Sequence, residues 1–98
     1  MRESKMQRDC IEWARKRYGA DLLLVNIHGG GWSNKGFPDL LAMANGKVLA
    51  IELKGDSGYK VQPDQLVWQN RFAKSNTDYA VCTSLDEFKE KIREVFHL

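Results

Sequence analysis

Asn45-Gly46 stands between two apolar runs, Leu40 to Ala44 and Lys47 to Leu53, and this dipeptide is the strongest short-range signal for a two-residue hairpin turn. A tight turn sets the register of the two strands, and register decides which side chains share a face. With Ala44 opposite Lys47, counting back along both strands brings Asp39 directly opposite Glu52. Residues so opposed have Cβ atoms only ~5 Å apart, and like charges there repel unless something positive lies between them. A divalent cation is the natural candidate. Alternation places Lys54 on the face of Glu52, while Leu49, Ile51 and Leu53 point to the other. Hard oxygen ligands suit Mg²⁺, which keeps several waters and completes its octahedron with substrate phosphate oxygens. The pattern implies phosphodiester hydrolysis.

The hairpin carries apolar residues on both faces, Leu41, Met43, Val48 and Ala50 on one and Leu40, Ala42, Leu49, Ile51 and Leu53 on the other. It is therefore expected at the centre of a sheet covered by helices. From about Ser4 to Tyr18, Met6, Cys10, Trp13 and Ala14 recur at helical spacing among charged residues, which predicts an amphipathic helix ended by Gly19. Leu22 to Ile27 reads as a first strand. Pro63 suits the first turn of a helix running to about Lys74, with Leu66, Trp68, Phe72 and Ala73 as its apolar positions. Tyr79 to Thr83 reads as a fourth strand. Ser84-Leu85-Asp86-Glu87 fits a capping box, and Leu85, Phe88, Ile92, Val95 and Phe96 mark the inner stripe of a last helix. The order αβββαβα predicts an α/β (α+β) fold with a mixed four-stranded sheet, in one domain spanning residues 1–98.

Taken singly, the site residues have ordinary explanations: Asp39 as the start of a strand, Glu52 and Lys54 as an ion pair on a solvated face. Glu52, however, lies within Val48-Leu49-Ala50-Ile51-Glu52-Leu53, a stretch that reads as buried, and a buried carboxylate needs a compensating partner. Two acids and a lysine at one sheet end read together as a site.

Gly36-Phe37-Pro38-Asp39, a hairpin, and then Ile51-Glu52-Leu53-Lys54 resemble the core of the PD-(D/E)XK nuclease superfamily, which has a restriction-endonuclease-like fold. A glutamate in the first helix and Pro63-Asp64-Gln65-Leu66-Val67-Trp68-Gln69 downstream narrow the resemblance to the VRR-NUC domain, in the small stand-alone form typical of phages. The resemblance implies that Asp39 and Glu52 bind Mg²⁺, with Mn²⁺ able to substitute, and that the main-chain carbonyl of Leu53 and the first-helix acid Glu3 complete the ligands. It implies that Lys54 orients or activates the attacking water and steadies charge on the phosphate. Gln65 matches the downstream glutamine, expected to bind water or phosphate; a solvated first-turn glutamine is the plainer reading. Glu3 has its own plain reading, an exposed acid favoured by the helix dipole. Trp68 reads as core.

The loop from His28 to Gly36 is glycine-rich, but Ser33-Asn34-Lys35-Gly36 does not match the ending of a nucleotide-binding P-loop, so no nucleotide cofactor is expected. Ser33, Asn34 and Lys35, with Lys60 in the loop after Lys54, are candidates to follow a phosphate backbone, although a plain connection explains them as well. His28 has no second histidine or cysteine at ligand spacing. The net charge of +2 does not by itself call for a polyanionic partner.

Cys10 and Cys82 fall in apolar company and read as buried free thiols. With neither a signal peptide nor a run of ~20 apolar residues, no membrane association and a cytoplasmic location are expected. The family likeness implies a Mg²⁺-dependent endodeoxyribonuclease. For the small stand-alone members it further implies a homodimer that cuts branched DNA, in particular four-way (Holliday) junctions. A nuclease for flaps, single strands or nicked duplex, and a non-catalytic nucleic-acid-binding module of the same fold, remain as alternatives.

Overall fold

The computed structural model describes residues 3–27, 35–56 and 58–98. Helix α1 (Glu3–Tyr18) leads through a 3-10 turn (Gly19–Asp21) to strand β1 (Leu23–Asn26). Strands β2 (Leu40–Ala44) and β3 (Lys47–Leu53) follow, then α2 (Pro63–Lys74), β4 (Asp78–Cys82) and α3 (Leu85–Phe96). The sheet order is β1-β2-β3-β4, with β1, β2 and β3 antiparallel and β4 parallel to β3 across the α2 crossover. This is the mixed sheet expected from the order of elements.

The hairpin forms in the register that its turn demands, Ala44 opposite Lys47 and Leu40 opposite Ile51. Asn45 and Gly46 both take positive φ, 54° and 77°, as the primed two-residue turn requires. Gly19, at φ 54°, closes α1.

Each sheet face has its own cover. Leu24, Leu40, Ala42, Leu49, Ile51, Leu53, Ala80 and Cys82 line the face beneath α1 and α3, where they join Met6, Cys10, Ala14, Phe88, Ile92 and Phe96 in one core. Each large apolar side chain buried there stabilises the fold by about 1.5–3 kcal/mol. Both cysteines are buried and free, and burial pushes the Cys10 thiol up to about 12 and the Cys82 thiol to about 11. They are inert packing groups. Ser84 caps α3 by accepting from the Glu87 N–H, but the Glu87 carboxylate reaches one residue further back than a capping box requires, to the N–H and hydroxyl of Thr83.

The second face departs from expectation. Helix α2 covers its β3–β4 half through a separate aromatic cluster: Phe37 against Trp68 at 4.8 Å and Phe72 at 5.8 Å, and Phe72 stacked on Tyr79 at 5.8 Å. Trp68 thus belongs to this satellite rather than the main core. No residue of α2 is fully buried, and Leu66 and Ala73 point to solvent. Among the described residues no helix lies over the β1–β2 half of this face; Leu23 is 58% exposed, and Val48, near the start of β3, 36%.

Candidate active site

The site stands at the end of the hairpin where β2 begins and β3 finishes. Continuing the ladder one step past Leu40–Ile51 sets Asp39 beside Glu52. One step further would pair Leu53 with Pro38, which has no N–H to donate. The Leu53 N–H instead donates to Asp39 Oδ2 at 2.8 Å. The proline thus ends the ladder and leaves the Leu53 carbonyl without an N–H from that neighbour. A backbone hydrogen bond from Ile27 N–H to the Asp39 carbonyl, 2.8 Å, ties the position to β1 as well.

Glu52 is 5% exposed and is the one buried charged residue among those described. Its Oε2 accepts from Gln65 Nε2 at 2.5 Å and lies 3.2 Å from Lys54 Nζ. Burial, and then the charge of Asp39, push its pKa from 4.5 to about 7, against the pull of Lys54; Glu3 adds a smaller push in the same direction. Asp39 is also raised, chiefly by burial, and is held back by the Leu53 N–H and by Lys54. Tyr79, on the same sheet face, is pushed up to about 12 by burial and by the Glu52 charge, so its hydroxyl stays protonated.

Two adjoining carboxylates in a half-dry setting, both raised chiefly by burial and Glu52 further by the charge of Asp39, form a site that would gain from a cation. Asp39, Glu52 and the Leu53 carbonyl offer hard oxygen donors of the kind Mg²⁺ takes. Glu3 is exposed at the start of α1, close enough for its charge to be felt at Glu52. Among the described residues no three His, Cys, Asp or Glu side chains converge on one point. The two carboxylates brought side by side at this strand end are Asp39 and Glu52.

Of the remaining expected residues, Gln65 is brought into direct contact with Glu52. Lys35 pairs with Asp64 at 3.5 Å on the surface, and its carbonyl accepts from the Trp68 indole at 3.1 Å. Lys60 is exposed. Ser33 and Asn34, like His28 and Trp32, lie outside the described residues. One group with a part in the site is absent from the sequence reading: the Gln62 main chain, whose N–H donates to Gln65 Oε1 at 3.1 Å. The signal for it was the Gln62-x-x-Gln65 spacing, which matches the N-cap and N3 positions of a capping box.

A mixed sheet with paired carboxylates and a lysine at one strand end, and a glutamine reaching down from the crossover helix, defines the restriction-endonuclease-like class of nuclease fold. The sequence profile of the VRR-NUC domain matches residues 30–86, more than half of the chain. The chain belongs to the VRR-NUC domain family. Similar solved structures include a VRR-NUC domain with 26% identity and a TM-score of 0.72, the match covering 94% of this chain and 98% of the other. A second VRR-NUC domain protein, 20% identical, has a TM-score of 0.79 with 100% and 90% covered. Hjc of Archaeoglobus fulgidus, a Holliday junction resolvase from an archaeal hyperthermophile, is 22% identical with a TM-score of 0.57, covering 80% of this chain and 64% of that one. Among curated proteins none matches the sequence.

Proposed function

We propose that the chain is a Mg²⁺-dependent endodeoxyribonuclease acting as a homodimer on branched DNA, with the four-way junction as its substrate. The observation that carries the reading is the Asp39–Glu52 pair with Lys54 Nζ 3.2 Å from Glu52 Oε2. Asp39, Glu52 and the Leu53 carbonyl would hold the metal. When bound, Mg²⁺ supplies Lewis-acid stabilisation of a phosphoryl oxygen and acidifies water. Lys54 has a largely buried stem and places its ammonium beside Glu52, where it orients the attacking water and offsets charge growing on the phosphate. Gln65 holds Glu52 in place from above.

Shape is the ground on which the junction is inferred. A structure-selective enzyme reads DNA geometry more than sequence. The Holliday junction resolvase among the structural relatives supports this choice. A homodimer is supported by the bare β1–β2 half of the sheet, since two sites related by a two-fold axis can cut two strands symmetrically. A cytoplasmic setting suits the fold; among the described residues no helix is long and apolar enough to cross a membrane.

The test is cleavage of labelled four-way junction, flap, duplex and single-stranded DNA in Mg²⁺ or Mn²⁺, with Lys54→Ala, Asp39→Asn and a chelator alongside. Symmetric junction cuts, lost in all three controls, are expected. Cutting confined to flaps or single strands would replace the substrate while keeping the nuclease. Junction binding without any metal-dependent cutting would make the chain a binding module.

A further inference from the structure

The Gln65 side chain spans two fixed partners: its Oε1 accepts from the Gln62 N–H at 3.1 Å, and its Nε2 donates to Glu52 Oε2 at 2.5 Å. A main-chain N–H is only a donor and an ionised carboxylate only an acceptor, so a single orientation of the amide satisfies both. We propose that the Gln62 main-chain N–H is a positioning group for the metal site, locking Gln65 with its Nε2 toward Glu52. The inference deepens the nuclease reading and rests on the same site.

The geometry gives this lock a consequence. Gln65 Nε2 and Lys54 Nζ both approach Oε2 of Glu52, and the Glu52 carboxyl also lies within hydrogen-bonding reach of Asp39. The contacts at Oε2 thereby fix the carboxyl group that stands beside Asp39. Freed from Gln62, the Gln65 side chain keeps only one of its two anchors and can swing away from Glu52 into other rotamers. Glu52 would then lose the fixed partner that sets its own rotamer. The lock also connects two levels of structure. The bond that satisfies an orphan N–H at the start of α2 is the bond that orients a side chain over the carboxylate pair. Gln65 thus acts through Glu52 as a positioning residue, with its oxygen committed to the helix end rather than to the metal.

Gln62 is open to a clean substitution. Its φ of −80° lies within the range of proline, and its side chain is exposed. Gln62→Pro removes the N–H; Gln62→Ala shortens the same side chain and keeps it. Calorimetric titration with Mn²⁺ is expected to show affinity about tenfold weaker for Gln62→Pro than for Gln62→Ala, with Gln65→Ala close to the proline variant, as for other partners of metal ligands. Equal affinities of the proline and alanine variants would overturn the lock. A second measurement needs no variant: in the isotopically labelled wild-type protein, a through-hydrogen-bond scalar coupling is expected between Gln62 ¹⁵N and Gln65 ¹³Cδ. Its absence would overturn the proposal even if Gln62→Pro failed to fold. The coupling and the Mn²⁺ ratio, found together in a protein that cuts no DNA, would support the lock and overturn only the nuclease reading.

Discussion

Glu52 is a buried charge-bearing residue in a largely apolar strand, and its burial sets a pH dependence that can be measured without substrate. In the metal-free protein its pKa of about 7 stands above the ordinary 4.5, so the folded state holds that proton more tightly than the unfolded chain. Stability from a raised pKa is complete below about pH 4.5 and is lost as pH climbs to about 7. Asp39, raised by the same cause, acts in the same sense. Glu52→Gln removes the titration and keeps a side chain that can accept from Gln65. The melting temperature of wild type should therefore fall relative to Glu52→Gln between about pH 4.5 and about pH 7, by more than about 4 °C in a domain of this size. Parallel melting curves would show that the proton is held elsewhere. The positions of Asp39, Glu52 and Lys54 were legible in the sequence because turn type and strand alternation are backbone properties that local residues dictate. The Gln65–Glu52 bond was not, since it depends on how far along β3 the crossover helix settles. Spacing on one helix places Gln65 on a face without saying what that face meets.

At the scale of elements, the segment that delivers Asp39 is docked on the helix that delivers Gln65. Gly36, at φ 86°, lies so close to the first turn of α2 that a Cβ there would sit 2.5 Å from the Asp64 carbonyl carbon and 2.6 Å from its oxygen. The Lys35 carbonyl takes the Trp68 indole N–H, and Phe37 packs edge-on against Trp68. Gly46 has a similar φ of 77° but open space around it, so it separates the two costs of adding a methyl. Gly46→Ala should lose about 1–2 kcal/mol, the cost of a left-handed backbone for a residue with a Cβ. Gly36→Ala adds a collision with main chain that only a shift of α2 can relieve, and in urea denaturation it should lose at least about 2 kcal/mol more. Comparable losses would mean that the docking is looser than this geometry. Helix boundaries and the hairpin were readable from caps, Pro63, Asn45-Gly46 and the apolar periods. The partial exposure of α2 was not, because Leu66 and Ala73 are ordinary helix formers whose burial depends on a neighbour that this chain alone does not place over them.

Among the described residues, one sheet face is well filled and the other is half bare. Leu23, Met43 and Val48 stand side by side across β1, β2 and β3 on the bare half, in the register Leu23↔Met43↔Val48, with Val25 and Leu41 half-buried next to them. A contiguous apolar strip on a sheet face is more than the scattered exposed residues of an ordinary monomer surface. It shares its sheet face with Glu52 but lies beside the Asn45-Gly46 turn, four residues along each strand from Asp39 and Glu52, so a second copy seated there would bring two sites into one assembly and leave both open. Leu23 is 58% exposed in the single chain, so replacing it costs the protomer little, whereas a lysine facing its own two-fold mate would be a buried like-charge contact. Leu23→Lys is therefore expected to leave melting in the dilute monomer nearly unchanged and to shift the sedimentation equilibrium from dimer to monomer. On a four-way junction the same variant should lose paired, symmetric cuts and retain single nicks, because each protomer keeps its own carboxylate pair and lysine. A wild-type protein that sediments as a monomer would overturn the homodimer. A variant that remains dimeric would move the interface to the exposed Val61, Leu66 and Val67 around the start of α2, where the geometry would place the partner against the helix that holds Gln65 instead of the open sheet.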